Sequence, residues 1–159
     1  MIKYKYLIHI SIILAIFIFD RLSKAYVISL AENLPSLYLN ITSFINLTLV
    51  WNSGIGFGLL QFDKNVFYDI VTLLILLVNL IIIYLFFFAD NLNRFFFSMI
   101  LGGSFGNLFD RIYFSAVPDF IDLNYNGYHW FVFNVADIFI TIGIFLLILS
   151  EIFKKKNEK

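Results

Sequence analysis

Two aspartates, Asp119 and Asp137, are the residues of this 159-residue chain best suited to chemistry. Asp119 follows a proline in Val117-Pro118-Asp119-Phe120, and Asp137 closes Phe133-Asn134-Val135-Ala136-Asp137 at the head of an apolar run. A carboxylate beside hydrocarbon is expensive to ionise, so it marks a functional position by default. Two that met would share a proton, because like charges in contact do not both form cheaply. A pair of that kind suits acid–base chemistry.

Composition bounds where such a pair can sit. The chain is 61% hydrophobic and 14% charged, more apolar surface than a soluble domain of this size can hide, so a bilayer is its natural solvent. Cysteine is absent, which removes disulfides, cysteine nucleophiles and thiolate metal sites. His9 and His129 are too few and too far apart for a usual zinc site, and no metal or cofactor is expected. A net charge of zero gives no basic footprint for nucleic acid. Lys3 and Lys5 before the apolar residues 7–19 have the outline of a signal peptide, but no A-x-A pattern follows and Asp20-Arg21 interrupts. A retained anchor is expected.

The expected architecture is an all-α polytopic membrane protein in one domain, residues 1–159. Four spans, about 6–30, 66–88, 95–114 and 132–153, each approach the ~20 residues a crossing helix needs. Gly102, Gly103 and Gly106 thin the third, where Gly102 and Gly106 form a G-x-x-x-G suited to close helix packing. Lys3, Lys5, Arg94, Lys154, Lys155, Lys156 and Lys159 all fall on one side, which the positive-inside rule makes cytoplasmic, with both termini. The first outer connection, 31–65, is the β-rich module of this bundle: Leu37, Leu39 and Ile41 alternate, as do Ile45, Leu47 and Leu49. Gly54, Gly56 and Gly58 recur at period two, a strand open to close backbone approach. The second, 115–131, reads as a short loop.

Helix arithmetic brings scattered polar residues to one depth. At ~1.5 Å per residue, Lys5 to Asp20 is about 22 Å, Arg94 to Asp110 about 24 Å and Asp137 to Lys154 about 26 Å. The hydrocarbon is about 30 Å thick, so Asp20, Asp110 and Asp137 all reach its outer boundary, where the loop carrying Asp119 lies. Asn107, Asp110 and Arg111 share one helix face, as do Asn134, Asp137 and Thr141. Asp20 and Lys24 make an i, i+4 pair, most simply a structural one, and the lesser reading of Asp137 is a structural partner of Arg111. Gly102-Gly103-Ser104-Phe105-Gly106 spells G-x-S-x-G inside a membrane helix, the wrong context for a nucleophile elbow.

In order, Asp20-Arg21-Leu22-Ser23-Lys24, Asn52-Ser53-Gly54, Gly106-Asn107-Leu108-Phe109-Asp110-Arg111, Val117-Pro118-Asp119-Phe120-Ile121-Asp122 and Phe133-Asn134-Val135-Ala136-Asp137 closely resemble the lipoprotein signal peptidases, the type II signal peptidases of bacteria. The resemblance covers nearly the whole chain. It implies an aspartyl intramembrane protease of the bacterial cytoplasmic membrane, with its site at the outer face. Such an enzyme removes the signal peptide from diacylglyceryl-modified prolipoproteins by cutting just before the lipidated cysteine. Asp119 and Asp137 match the family's catalytic pair. Asn52, Gly54, Asn107, Arg111 and Asn134 match site-lining positions, and Asp20, Lys24 and Asp110 match supporting ones. The resemblance further implies lipid-modified prolipoprotein and the phospholipid bilayer as partners, a globomycin-type cyclic peptide as inhibitor, a small β-cradle in 31–65 and a flap-like segment in 115–131. Ile55 and Gly56 after Gly54, and Pro118 before Asp119, depart from the family pattern without removing a catalytic group. The reading from another class is a small membrane carrier or proton-coupled transporter component, which expects charges near the midplane and an internal repeat.

Overall fold

A computed structural model describes residues 2–34, 36–54, 66–125 and 127–157. Their order is α1 (Ile2–Glu32), β1 (Tyr38–Asn40), β2 (Ile45–Asn52), α2 (Val66–Phe88), α3 (Asn91–Phe114), β3 (Val117–Tyr125), β4 (Tyr128–Phe133) and α4 (Val135–Asn157). Gly56 and Gly58, the outer part of the expected glycine strand, and the departures at Ile55 and Gly56 lie outside the described residues.

Helix α3 is the hub, with α1, α2 and α4 each packed on it. Among the described residues, three stretches are long and apolar enough to cross a membrane: Tyr6–Glu32, Tyr68–Phe88 and Val135–Lys154. Their outward side chains, such as Leu14, Leu80 and Phe145, are exposed apolar groups suited to lipid. Helix α3 is less apolar because its surroundings are protein. Asn93, Arg94, Ser98, Asp110 and Arg111 are all buried in it, against partners on other elements or its own backbone.

The glycines of α3 set how closely its neighbours approach. A methyl at Gly102 would lie 2.8 Å from Ile16 Cβ, and one at Gly106 2.4 Å from the Asp20 carboxylate, so the G-x-x-x-G face receives α1. Gly103 faces the other way, where a methyl would meet the Ala136 carbonyl of α4 at 2.5 Å. The small residues thus draw the first turn of α4, and Asp137 with it, against α3. Asp90 caps the start of α3 by accepting from the Asn93 N–H at 2.9 Å. Ser115, left-handed at φ 57°, ends the helix and turns the chain into β3.

The outer connections differ from the sequence reading. The β module does not belong to the first connection alone: one antiparallel sheet runs β1-β2-β3-β4, and β3 and β4 begin in the second connection, with β4 running on to Phe133. The expected flap-like loop is therefore a hairpin. Polar Asp119, Asp122 and Asn124 disguise it, since Asp, Asn and Pro are depleted in strands. Pro118 is accommodated near the start of β3, opposite Trp51. The register slips between Leu47 and Val50, a bulge that re-aims the side chains flanking Asp119.

Val27, Leu37, Phe120 and Val135 form a buried cluster that fixes the sheet to α1 and α4. Each such burial is worth about 1.5–3 kcal/mol. Phe120 adjoins Asp119 and Val135 adjoins Asn134, so the same contacts anchor the neighbours of the site.

Candidate active site

Asn134 brings the two aspartates together. It is the N-cap of α4, and its Oδ1 accepts from the Asp137 N–H at 3.1 Å. Asp137, three residues on, returns the bond: its Oδ2 accepts from the Asn134 N–H at 3.1 Å. This is a capping box, and it sets the Asp137 rotamer. The other end of the same amide donates from Nδ2 to Asp119 Oδ1 at 2.6 Å. One fully buried side chain thus touches both acids.

Each remaining carboxylate oxygen also meets an amide. Asn52 Nδ2 donates to Asp119 Oδ2 at 2.8 Å, and Asn52 Oδ1 is held by the Gly54 N–H at 2.9 Å. Asn107 Nδ2 donates to Asp137 Oδ1 at 2.8 Å. Asn107 cannot turn over, because its Oδ1 accepts from Lys24 Nζ at 2.7 Å. Asp119 is 2% exposed, whereas Asp137 is only partly buried. Burial, and then the negative charge of Asp137, push the Asp119 carboxyl up to about 7, against the lowering pull of the Asn52 and Asn134 hydrogen bonds and of Lys24.

Behind this pair lies a buried ion cluster. Lys24 Nζ reaches Asp20 Oδ2 at 2.9 Å and Asp110 Oδ2 at 2.7 Å, and all three residues are buried. Arg21 forks onto Asp110 and also meets Asp20 Oδ2 at 3.1 Å. Asp20 Oδ1 accepts from the Ala136 N–H at 3.0 Å, satisfying a free donor at the start of α4. The depth arithmetic therefore finds its physical counterpart, since α1, α3 and α4 are pinned together at this layer.

The face Asn107-Asp110-Arg111 divides. Asn107 and Arg111 line a cavity of about 220 Å³ together with Asn52, Ser104, Asp119, Asn134, Asp137 and Thr141, closed by Ile75, Val117 and Ile140. Asp110 turns instead to α1. The structural pairing of Arg111 with Asp137 does not occur: Arg111 Nη2 donates to the Gly54 carbonyl, and its guanidinium lies 5.5 Å from the centre of the Tyr68 ring. Its Nη1 is buried without a hydrogen-bond partner among the described residues, leaving a donor for a carbonyl at the cavity wall. Two contributors were missed from the sequence. Arg21 stood in a noted motif without a role, and Tyr68, whose hydroxyl donates to the Arg111 carbonyl at 3.0 Å, carries no local signal beyond an aromatic at a span end.

Chemically, this is a pair of carboxyls joined through one amide at the edge of a small polar cavity. Residues 12–153 match the model of the family described as signal peptidase (SPase) II. The chain is 55% identical over 155 residues to the lipoprotein signal peptidase of Pelagibacter ubique (strain HTCC1062), covering 96% of this chain and 93% of that one. It is 41% identical over 143 residues to that of Rickettsia akari (strain Hartford), covering 87% and 71%. Among solved structures it is similar to a bacterial membrane enzyme determined by the in meso method at 2.3 Å, with TM-score 0.77, 32% identity, and 95% and 91% of the two chains covered. A second, at 1.9 Å, gives TM-score 0.70 at 30% identity, with 89% and 90% covered.

Proposed function

The chain belongs to the signal peptidase II family and is a protease of that type, and from this premise we propose that Asp119 and Asp137 are its catalytic pair. The observation that carries the proposal is the Asn134 side chain, bonded to Asp119 through Nδ2 and to the Asp137 backbone through Oδ1 beside the 220 Å³ cavity. Its substrate is the diacylglyceryl-modified prolipoprotein, cut just before the lipidated cysteine.

The pair holds one proton, and its titration belongs to both residues together. The ionised carboxylate takes a proton from water as the water oxygen attacks the scissile carbonyl carbon. The protonated partner donates to the carbonyl oxygen, giving a neutral tetrahedral diol. On collapse the C–N bond breaks, the amine of the lipidated cysteine leaves with a proton from the pair, and the new carboxyl stays with the signal peptide. Arg111 Nη1 and the cavity-lining amides supply donors for the substrate backbone.

The family setting supports four crossing helices in one domain, residues 1–159, with α3 as the central crossing. It also supports the bacterial inner membrane as location, both termini in the cytoplasm and the site at the outer face. The bilayer and a globomycin-type cyclic peptide complete the proposed partners. Family membership displaces the carrier reading, and the gathering of the buried acidic residues at one end of the bundle also argues against it. Purified protein is expected to shift lipidated precursor to mature size on a gel and to leave unmodified precursor uncut. Cleavage of neither precursor by correctly inserted protein would refute the proposal.

The pH profile gives a finer test. Asp119 near 7 places the loss of the shared proton there, so kcat/KM falls as pH rises through about 7. Asn52→Ala removes a hydrogen bond that favours the charged form, so the carboxyl titrates higher and the alkaline limb moves to higher pH. A limb that stays fixed or moves down in kcat/KM profiles would contradict the assignment of this titration to the aspartate pair.

A further inference from the structure

Asp137 and Thr141 are a wall between two cavities. On one side is the polar cavity of the catalytic pair. On the other is an open groove of about 390 Å³, lined by Leu123 of β3, Phe131 and Phe133 of β4, and Ile138 and Ile142 of α4. Apart from the shared wall its lining is hydrocarbon and aromatic. Two larger cavities, of about 580 and 440 Å³, contain neither aspartate.

We propose that this groove holds an acyl chain of the substrate's own diacylglyceryl group; the proposal rests on the catalytic assignment of Asp137. The argument is one of distance. The lipid is attached to the cysteine whose amide nitrogen belongs to the scissile bond, so its chains depart within one residue of the reacting carbonyl. They need an apolar path that begins at the catalytic pair and opens to lipid. Asp137 is partly exposed, and the groove begins at its side chain.

The path continues down the helix. Ile138, Ile142 and Phe145 are all exposed and follow at i, i+4 and i+7, a stripe along one face of α4. From Ile138 to Phe145 it descends about 10 Å at ~1.5 Å per residue, away from the sheet and into the leaflet. Exposed Tyr128 and Trp130 stand on β4 beside Phe131, ring types that favour the membrane–water boundary. A chain entering at the boundary and descending along α4 meets no charged side chain among the described groove residues except Asp137 itself.

The test compares diacylglyceryl peptides with palmitoyl and with butanoyl chains, cut by the full protein in detergent micelles of fixed composition. Wild type should prefer the long chains, because a butanoyl chain ends before it can pack along the stripe from Ile138 to Phe145. Ile142→Trp fills the groove from a position that is already exposed, so the fold tolerates it. It is expected to raise KM for the palmitoyl substrate about tenfold or more, leave the butanoyl KM near wild type, and leave kcat little changed. Leu80→Trp, on the exposed face of α2, should leave the ratio alone. An unchanged ratio in Ile142→Trp would mean that bulk lipid fills the groove, and an equal change in Leu80→Trp would mean a general membrane effect; either overturns the proposal. A photoreactive palmitoyl chain on substrate held by the uncleaving Asp119→Asn protein should label peptides containing Phe131 or Ile142, and labelling confined to other helices also overturns it. Failure of wild type to cut either peptide would instead overturn the catalytic assignment on which it rests.

Discussion

Asp137→Asn is expected to insert and pack much as the wild type does while losing cleavage by at least about 10²-fold. The substitution keeps the shape of the side chain and removes its ability to take or give a proton. Its structural effect can be bounded from the partners. Asp137 Oδ1 accepts from Asn107 at 2.8 Å, and Oδ2 accepts from the Asn134 N–H at 3.1 Å. An amide has one oxygen for these two donors, and Asn107 is held in place by Lys24 at 2.7 Å. One donor is left facing a donor, which costs about 1–3 kcal/mol. The thermal midpoint should therefore fall modestly while cleavage is nearly abolished, and both must be measured on the same preparation. Asp119→Asn should behave alike, since its two oxygens also accept from two amides. On the proposed mechanism the pair works as a unit, so the double variant should cleave no more slowly than either single one. Retention of a tenth of wild-type activity by well-inserted Asp137→Asn would remove it from catalysis, and additive losses would separate the two residues.

The parts of this site that were legible in the sequence are those that depend on side-chain type at helical spacing. The apolar run 66–88 is α2 without adjustment, and counting along helices was enough to bring Asp20, Asp110 and Asp137 to one layer. The alternation around Leu39 and Leu47 foretold β1 and β2. Helix α4 starts at Val135, later than the hydrophobicity of Val132 and Phe133 suggests, because Asn134 caps it and those residues finish β4. The hairpin was hidden because its proline, aspartates and asparagine are poor strand formers. Asp119 is tolerated there because Asn52 and Asn134 on neighbouring elements meet both its oxygens, and Asp122 because Asn46 and His129 meet its Oδ2. The partner of Arg111 was hidden for another reason: it is the carbonyl of Gly54, and backbone acceptors leave no mark in a sequence.

Lys24→Met should be the most destabilising single change near the site, yet its damage to stability and to cleavage should be separable. Lys24 is 1% exposed and its two acidic partners 0%, so the cluster balances Asp20 and Asp110 against Lys24 and a partly exposed Arg21 with little water to screen them. Methionine fits the space of the aliphatic stem but leaves one buried negative charge uncompensated. Removing one partner of a buried pair costs about 3–5 kcal/mol, a large share of the stability of a domain. Asp110→Asn in the same chain restores the balance, with Arg21 still opposite Asp20 at 3.1 Å, so the double variant should recover much of the lost thermal stability. Cleavage should not recover with it. Lys24 also holds Asn107 by its Oδ1, and this bond keeps the Asn107 Nδ2 aimed at Asp137. Without the lysine the amide is free to turn, presenting an oxygen to the Asp137 carboxylate and repelling its charged form. The double variant should therefore melt closer to wild type and still cleave slowly, with kcat reduced more than KM is raised. If cleavage returns in step with the melting temperature, Lys24 supports only the fold and has no part in orienting the proposed catalytic pair.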